Sequence, residues 1–281
     1  MKRIVTMQDI SCVGKCSLTV ALPILSSMGI ETAVIPTAVL STHTMFNGFT
    51  FRDLTNDIRP IMDHWHKENF DFKAIYTGYL GSFEQIDIAH DLFNEFGKDA
   101  LKLVDPCMAD HGKLYPGFTK EFVLKMKELC KDADLICPNL TEACMLLDLP
   151  YVEDYDQTYI QSILKKLCDL GCNIAVLTGV SYTKGQLGAS FYNKKEDCFY
   201  HYETVEQVEH FHGTGDIFAS ILLGCLLNGL SLEQAIQVSC DYVSKTIAIT
   251  LNDKNHRNYG VNFETTIPWL ATRLDVEKQK I

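Results

Sequence analysis

The sequence contains no long hydrophobic run. Its longest apolar stretch, Ile217 to Leu227, holds eleven residues and is interrupted by Ser220 and Gly224, well short of the roughly 20 that a membrane-crossing helix needs. A soluble protein without a membrane partner is expected. Positive charge is scarce as well: 25 Lys and Arg stand against 36 Asp and Glu, a formal charge of −11. A chain of that balance is ill suited to neutralising a phosphate backbone, so nucleic acid is not an expected partner. The first residues turn polar at Gln8 and Asp9 before an apolar stretch of signal-peptide length accumulates, and a cytoplasmic location is expected. Linkers rich in Gly, Pro or Ser, repeats and low-complexity tracts are absent, which points to one domain over residues 1–281.

Several familiar chemical signatures are missing. The eleven cysteines are odd in number and many sit in apolar segments such as Asp134-Leu135-Ile136-Cys137, the pattern of reduced core thiols rather than of a disulfide framework. Cys12/Cys16 and Cys168/Cys172 have three intervening residues and no matching second pair, which disfavours zinc. His64/His66 and His210/His212 would suit a metal only on a strand with other ligands near. Gly14-Lys15-Cys16-Ser17 lacks both the earlier glycine and the hydroxyl directly after lysine that a Walker-type loop requires. Gly213-Thr214-Gly215 has Phe218 where the third glycine of a dinucleotide fingerprint belongs, and a nicotinamide cofactor is disfavoured.

What is present is a rhythm of short apolar runs and amphipathic stretches, the βαβ pattern of a mostly parallel sheet flanked by helices on both faces, an α/β fold. Strands are predicted at Arg3 to Gln8, Thr32 to Pro36, Ala74 to Thr77, Leu101 to Asp105, Leu135 to Cys137 and Ile174 to Thr178. Helices are predicted at Ser17 to Met28, Ile58 to Asn69, Ser82 to Phe96, Lys120 to Lys131, Thr141 to Leu147 and Gln157 to Leu170. Gly188 to Tyr192 and Cys198 to Glu203 then read as antiparallel strands extending a sheet edge. Two helices follow at Gly215 to Leu227 and Ser231 to Thr250, joined by Asn228-Gly229-Leu230, with a capping box at Ser231 and Gln234. The tail from Glu277 to Ile281 is expected to fray.

In open α/β sheets ligands bind beyond the carboxyl ends of the strands. Polar and glycine residues accumulate there: Asp9, Thr42-His43-Thr44, Gly78-Tyr79-Leu80-Gly81, Asp105 to Asp110, Pro138 to Glu142 and Thr178-Gly179. The sharpest motif is His212-Gly213-Thr214-Gly215-Asp216 at the start of an apolar helix. Gly213 and Gly215 let the backbone approach a phosphate, and first-turn amides with the helix dipole behind them form an anion hole. Asp216, expected to be held ionised by that dipole, places a base beside the hole, so a hydroxyl between them could lose its proton while attacking a phosphoryl group. A glycine turn capped by aspartate is the plainer alternative.

The order Gly78-Tyr79-Leu80-Gly81-Ser82, Asp105-Pro106-x-Met108, Pro138-Asn139-x-x-Glu142 and Gly213-Thr214-Gly215-Asp216 resembles the ribokinase-like superfamily, and within it the pyridoxal kinase branch, from Val5 to about Ala248. The resemblance implies an ATP-dependent kinase acting on the 5′-hydroxymethyl group of pyridoxal, pyridoxine or pyridoxamine. It casts Asp216 as general base, with Gly213, Thr214 and Gly215 as the anion hole. Asp105, Asp110, Asn139, Glu142 and Thr178 fall at ATP positions, Asp105 and Glu142 near Mg2+, and a monovalent cation such as K+ belongs to the same picture. Asp9, Thr42, His43 and Tyr79 match positions around the pyridine ring. The resemblance further implies a homodimer, and His111 to Gly117 looks like a mobile flap that excludes water.

Two departures stand out: Ala109 where the family usually has glycine, and Asp9 where many members have serine. A carboxylate at position 9 points to a preference for pyridoxamine, whose aminomethyl group is cationic. Hydroxymethylpyrimidine kinase of thiamine synthesis, a non-catalytic metabolite-binding protein and a sugar kinase are the competing readings.

Overall fold

The computed structural model describes residues 2–209, 211–257 and 259–280. The chain begins with β1 (Arg3–Val13), α1 (Leu18–Ser27), β2 (Glu31–Thr42), β3 (Phe51–Asp53), α2 (Thr55–Lys67), β4 (Ala74–Thr77) and α3 (Phe83–Phe96). There follow β5 (Leu101–Val104), a small hairpin β6 (Ala109–Asp110) and β7 (Lys113–Leu114), α4 (Lys120–Lys131), β8 (Leu135–Ile136), α5 (Leu140–Leu146), α6 (Gln157–Leu170) and β9 (Ile174–Val180). The remainder is β10 (Gln186–Asn193), β11 (Cys198–Val205), α7 (Thr214–Leu227), α8 (Leu232–Asn252), a short 3-10 turn and α9 (Ile267–Lys278).

One nine-stranded sheet, in the order β11-β10-β9-β8-β5-β4-β1-β2-β3, organises these elements. The six strands from β9 to β2 run parallel, β3 pairs antiparallel with β2 at one edge, and β10 pairs antiparallel with both β9 and β11 at the other. Because successive residues point to opposite faces of a strand, Ile4 and Tyr76 pack under α1, α7, α8 and α9, while Val5 and Ile75 pack under α2 to α6. Burial on both faces explains why the parallel strands read as continuous apolar runs. The chain leaves β1 to one side for β2 and later returns on the other side as β4, so strand order reverses at β1. That switch point is where an α/β sheet opens a ligand crevice.

The parallel-sheet expectation and the antiparallel extension are both present, and α4 and α6 span the predicted residues. Asp9 does not follow the first strand, as expected, but lies inside it. β1 continues to Val13 because β2 extends alongside, pairing Ser11 with Leu40 and Val13 with Thr42. A bulge separates the pairs Gln8–Pro36 and Ile10–Val39, placing Asp9 opposite two residues of β2, a device that re-aims side chains beside active sites. The tail does not fray at Glu277, which is buried and bonded to Arg273, Lys280 and Gln234; Ile281 lies outside the described residues. His64 and His66 sit in the last turn of helix α2, where i and i+2 do not share a face, and His210 lies outside the described residues. The capping box at Ser231 and Gln234 is formed. The eleven cysteines are free thiols. Among the described residues no helix is long and apolar enough to cross a membrane.

Candidate active site

A cleft of about 460 Å³ opens at the carboxyl ends of the parallel strands, and its floor is the start of α7. Gly213, the residue before that helix, has φ +80°, and a side-chain carbon there would overlap the Lys15 carbonyl oxygen. Only glycine satisfies both demands. At Gly215 a side-chain carbon would meet nothing within 4 Å, so this glycine keeps space open rather than relieving a clash. No side chain caps α7, and the amides of its first turn, from Thr214 to Asp216, give onto the cleft, with the positive end of the helix dipole behind them. The Thr214 hydroxyl donates to the Phe211 carbonyl at 3.1 Å, which pins the turn.

Asp216 is buried, and its Oδ2 accepts the backbone N–H of Ser17 at 2.9 Å. The dipole was expected to hold it ionised. Instead burial pushes its carboxyl up to about 7, the Ser17 amide opposing and the charge of Asp9 adding to the rise. Desolvation wins because a half-charge at a helix end and one amide do not replace a hydration shell. Asp216 therefore exchanges its proton near neutrality, the range in which a general base works best.

Asp9 is also buried and raised, by desolvation first, with hydrogen bonds from Ser17 and Ser11 opposing; the Ser11 hydroxyl donates to its Oδ2 at 3.2 Å. His43 is held by two contacts: the Met45 amide donates to Nδ1 at 3.3 Å, and Nε2 faces the Tyr259 carbonyl at 3.2 Å. That pair fixes the neutral tautomer with its proton on Nε2, in line with a pKa lowered by burial and by His212. The His43 and His212 rings lie 5.4 Å apart, and His212 lines the cleft. Tyr79 is half-buried, 5.4 Å from the Phe118 ring, and its phenol is pushed up to about 12 by burial and then by Asp9. Thr42 closes β2 with a buried hydroxyl that has no partner among the described residues. These four lie beside the cleft rather than in its wall, whereas Asp105, Asp110, Asn139, Glu142, Thr178 and Gly213 to Asp216 line it.

Asn139 and Glu142 are committed to the fold. They form a capping box at α5, Asn139 Oδ1 accepting the Glu142 amide at 2.9 Å and Glu142 Oε2 accepting the Asn139 amide at 3.0 Å. Asn139 Nδ2 donates to the Ala109 carbonyl at 2.8 Å. Glu142 Oε1 accepts the Met108 amide at 3.0 Å and the Ala109 amide at 3.4 Å. The pair thus staples the segment after β5 to α5. Asp110 is exposed and accepts from the His111 amide at 2.8 Å. The segment expected as a flap carries hairpin β6–β7, and Gly112 donates to Thr141 Oγ1 at 3.0 Å. Thr178 ends its reach at the Pro138 carbonyl, 3.5 Å away.

Buried Asp105 and Glu142 both have raised pKa values, by desolvation first; Asp105 is raised further by Glu142 and Asp216, and Glu142 by Asp110. Neither is ion-paired with a cationic side chain among the described residues. Two buried carboxyl groups without a counter-charge suit a hard divalent cation that would favour their ionised form and bring water and phosphate oxygens of its own. No three His, Cys, Asp or Glu side chains among the described residues form a ready protein-only cage, which is the usual situation for Mg2+. Asp105 fits better, since the oxygens of Glu142 already receive three amides.

His212 and Cys107, which lie inside motifs singled out in the sequence but given no role there, line the cleft wall, as do Tyr115, Val243 and Ile247, which the sequence does not single out; Ser17 stands behind it. Val243 and Ile247 stand four apart on α8, a spacing that reads as ordinary core. Ser17 reads in the sequence only as a helix start, because nothing in a serine announces its positive φ or its partner Asp216.

The phosphomethylpyrimidine kinase family model matches residues 26–262. A crystal structure of a Bacteroides thetaiotaomicron protein named "putative phosphomethylpyrimidine kinase" superposes with a TM-score of 0.93 at 37% identity, covering 96% of this chain and 93% of that one. A second crystal form of that protein was obtained with pyridoxal. Pyridoxal kinase from Lactobacillus plantarum superposes with a TM-score of 0.89 at 28% identity, covering 97% of each chain. A Staphylococcus epidermidis protein named "putative pyridoxine kinase" is 30% identical over 184 residues, and the chain spans 62% of that relative's length.

Proposed function

The chain belongs to the phosphomethylpyrimidine kinase family, and from that premise we propose that it transfers the γ-phosphoryl group of ATP to the 5′-hydroxymethyl group of a B6 vitamer. The observation that carries the reading is the pairing of a buried carboxyl titrating near neutrality, Asp216, with a glycine-flanked helix start whose amides face the same cleft. The pyridoxal seen with the Bacteroides relative favours a B6 substrate.

In this reading Asp216 takes the proton of the substrate hydroxyl as its oxygen bonds to the γ-phosphorus, and the bond from phosphorus to the ADP oxygen breaks. The amides of Gly213 to Asp216 receive the charge that develops on the phosphoryl oxygens. Bound with the nucleotide, magnesium would neutralise phosphate charge beside Asp105, with Glu142 behind it. Thr178 and Asp110 stand along the triphosphate, while Asn139 and Glu142 hold the wall it rests on. Val243, Ile247 and Phe218 offer an apolar face for the base. Thr42, His43 and Tyr79 surround the pyridine ring, Thr42 with its unspent hydroxyl. A single domain, a homodimer, a cytoplasmic location and a monovalent ion such as K+ belong to the same proposal.

Asp9 sets the finer choice. An ammonium group facing it supplies the counter-charge that its buried carboxylate lacks, so pyridoxamine is the favoured vitamer. A charge-assisted contact of roughly 1.5–3 kcal/mol corresponds to about a 10- to 150-fold preference. Asp9→Ser should move the ratio of kcat/KM for pyridoxamine and pyridoxal towards pyridoxal, and an unchanged ratio removes the vitamer preference while leaving the kinase reading intact.

The family description names a phosphomethylpyrimidine kinase, which keeps a pyrimidine substrate, hydroxymethylpyrimidine, as the second reading. ADP release measured against the three B6 vitamers, hydroxymethylpyrimidine and ribose decides between them. Turnover with hydroxymethylpyrimidine alone transfers the assignment, and no turnover with any of the five leaves a binding protein.

A further inference from the structure

The Gly14-Lys15 pair fails as a Walker-type loop, and Lys15 is not among the residues that line the cleft. Its ammonium is engaged on the other side of the loop. Nζ donates to Glu264 Oε2 at 2.9 Å and to Asn262 Oδ1 at 3.2 Å, and stands 5.9 Å from the centroid of the Phe263 ring. The amide of the same residue donates to the Tyr259 carbonyl at 3.4 Å. Gly260 permits this approach, since a side-chain carbon there would press on Lys15 Cβ.

Segment 259–264 is in turn fastened to α8 and the loop that follows it. The Asn262 amide donates to Thr250 Oγ1 at 2.8 Å, Asn262 Nδ2 donates to Asp253 Oδ2 at 3.1 Å, and the Phe263 carbonyl accepts the Tyr242 hydroxyl at 2.9 Å. Val261 and Phe263 are buried. Lys15 therefore grips a fixed object.

What it holds is the back wall of the site. The Lys15 carbonyl stands where a side chain on Gly213 would be, and two residues on, the Ser17 amide donates to Asp216 Oδ2 at 2.9 Å. Ser17 has φ 51° and ψ −134° and makes no side-chain cap for α1. A non-glycine residue in such a conformation persists only when its surroundings over-determine it.

Resting on the kinase reading above, we propose that Lys15 is a positioning residue: clasped by Glu264 and Asn262, it seats loop 14–17 so that the Ser17 amide orients Asp216 and the Lys15 carbonyl backs the anion hole. With Oδ2 occupied, the other oxygen of Asp216 is the one left for the substrate hydroxyl. The Glu264 side chain is 54% exposed and that of Lys15 19%, and an ion pair so placed contributes little to stability. Its effect falls on geometry, because a small misplacement of a reacting group costs rate. His43 keeps the Tyr259 carbonyl whether or not the clasp is closed, so binding of the pyridine ring is spared.

The test is Lys15→Met, which retains the apolar stem and removes the ammonium, and Glu264→Ala, each alone and together in the full chain. For Lys15→Met, kcat should fall about tenfold, the scale of one hydrogen bond to a charged group. KM for pyridoxal should change by less than about twofold, and the unfolding midpoint by less than about 4 °C. Glu264→Ala should lower kcat about three- to fivefold in the parent and by less than about 1.5-fold in Lys15→Met. Parental kcat in Lys15→Met, a loss confined to KM, or an equal effect of Glu264→Ala in both backgrounds overturns the proposal. Should Lys15→Met fail to fold, Glu264→Ala alone decides, and parental kcat there overturns it. If the parent phosphorylates none of the vitamers, the kinase reading fails separately, and the clasp is read from hydrogen exchange of the Ser17 amide: exchange about tenfold faster in Glu264→Ala supports it, and an unmoved rate overturns it.

Discussion

Replacing Asp216 with asparagine should make the protein inactive and more stable at once. The carboxyl has an ordinary value of 3.8 and is pushed up to about 7 in the fold. A folded-state pKa above the unfolded one means that the native state binds the proton more tightly, so this group favours folding at low pH and opposes it as pH rises. The opposition is absent below 3.8, grows between 3.8 and about 7, and is complete above. At roughly 1.4 kcal/mol per pH unit, that gap is on the order of 4 kcal/mol above neutrality. Asparagine carries no charge and its oxygen can still accept the Ser17 amide. Asp216→Asn should therefore gain about 2–4 kcal/mol at pH 8.5, a rise in unfolding midpoint of roughly 5–10 °C for a chain of this size, and almost nothing at pH 4. Its kcat should fall by about 10²–10⁴. The assay is calorimetry from pH 4 to 8.5 without nucleotide or magnesium, beside steady-state turnover. A stability difference that is constant across pH refutes the burial argument, and full turnover refutes the base.

The two glycines should separate fold from site: Gly213→Ala should lose at least about 2 kcal/mol of stability through its positive φ and the Lys15 carbonyl, whereas Gly215→Ala should unfold within about 2 °C of the parent yet raise the KM for ATP, as thermal melts and ATP titrations would show. Parental turnover in the parent protein should decline below pH about 7 along a single-proton limb as Asp216 is protonated, and a limb centred near pH 4 in the pH profile would contradict its burial. Asp105→Asn should raise the magnesium concentration for half-maximal rate about tenfold or more, while Glu142→Gln, whose amide can no longer accept from all three N–H groups, should lose about 1–3 kcal/mol in urea unfolding at pH 6.

The parts legible in the sequence are those fixed by local chemistry. α4 and α6 were placed to the residue because Thr119 and Asp156 cap them, accepting the amides of Phe122 and Tyr159. Gly213 was legible because few other residues tolerate its conformation. What escaped depends on distant partners. β1 outruns its predicted end because β2 lies beside it, and the charge state of Asp216 follows from burial under elements far along the chain. α9 went unseen because its apolar residues, Trp269, Leu270 and Leu274, are too few to stand out from a polar tail until the surface of α8 that they cover is known. The side chain of Asn139 reads equally as a phosphate contact or as a helix cap, and only the fold occupies its amide at both ends, Oδ1 with the Glu142 amide and Nδ2 with the Ala109 carbonyl.

The bond from Ser17 to Asp216 also orders events during synthesis. β1, β2 and β4 are neighbours in both sheet and sequence, so the amino-terminal half can pair its strands as it emerges from the ribosome. The Asp216 end of that bond arrives 199 residues later, about 10–40 s at ordinary rates of elongation. Until then the Ser17 turn lacks its acceptor and the face of β1 that α7 covers stays open to water. A chain cut short before Gly213 carries all nine strands of the sheet and no working site, because the anion hole and the base both lie in the last quarter of the sequence.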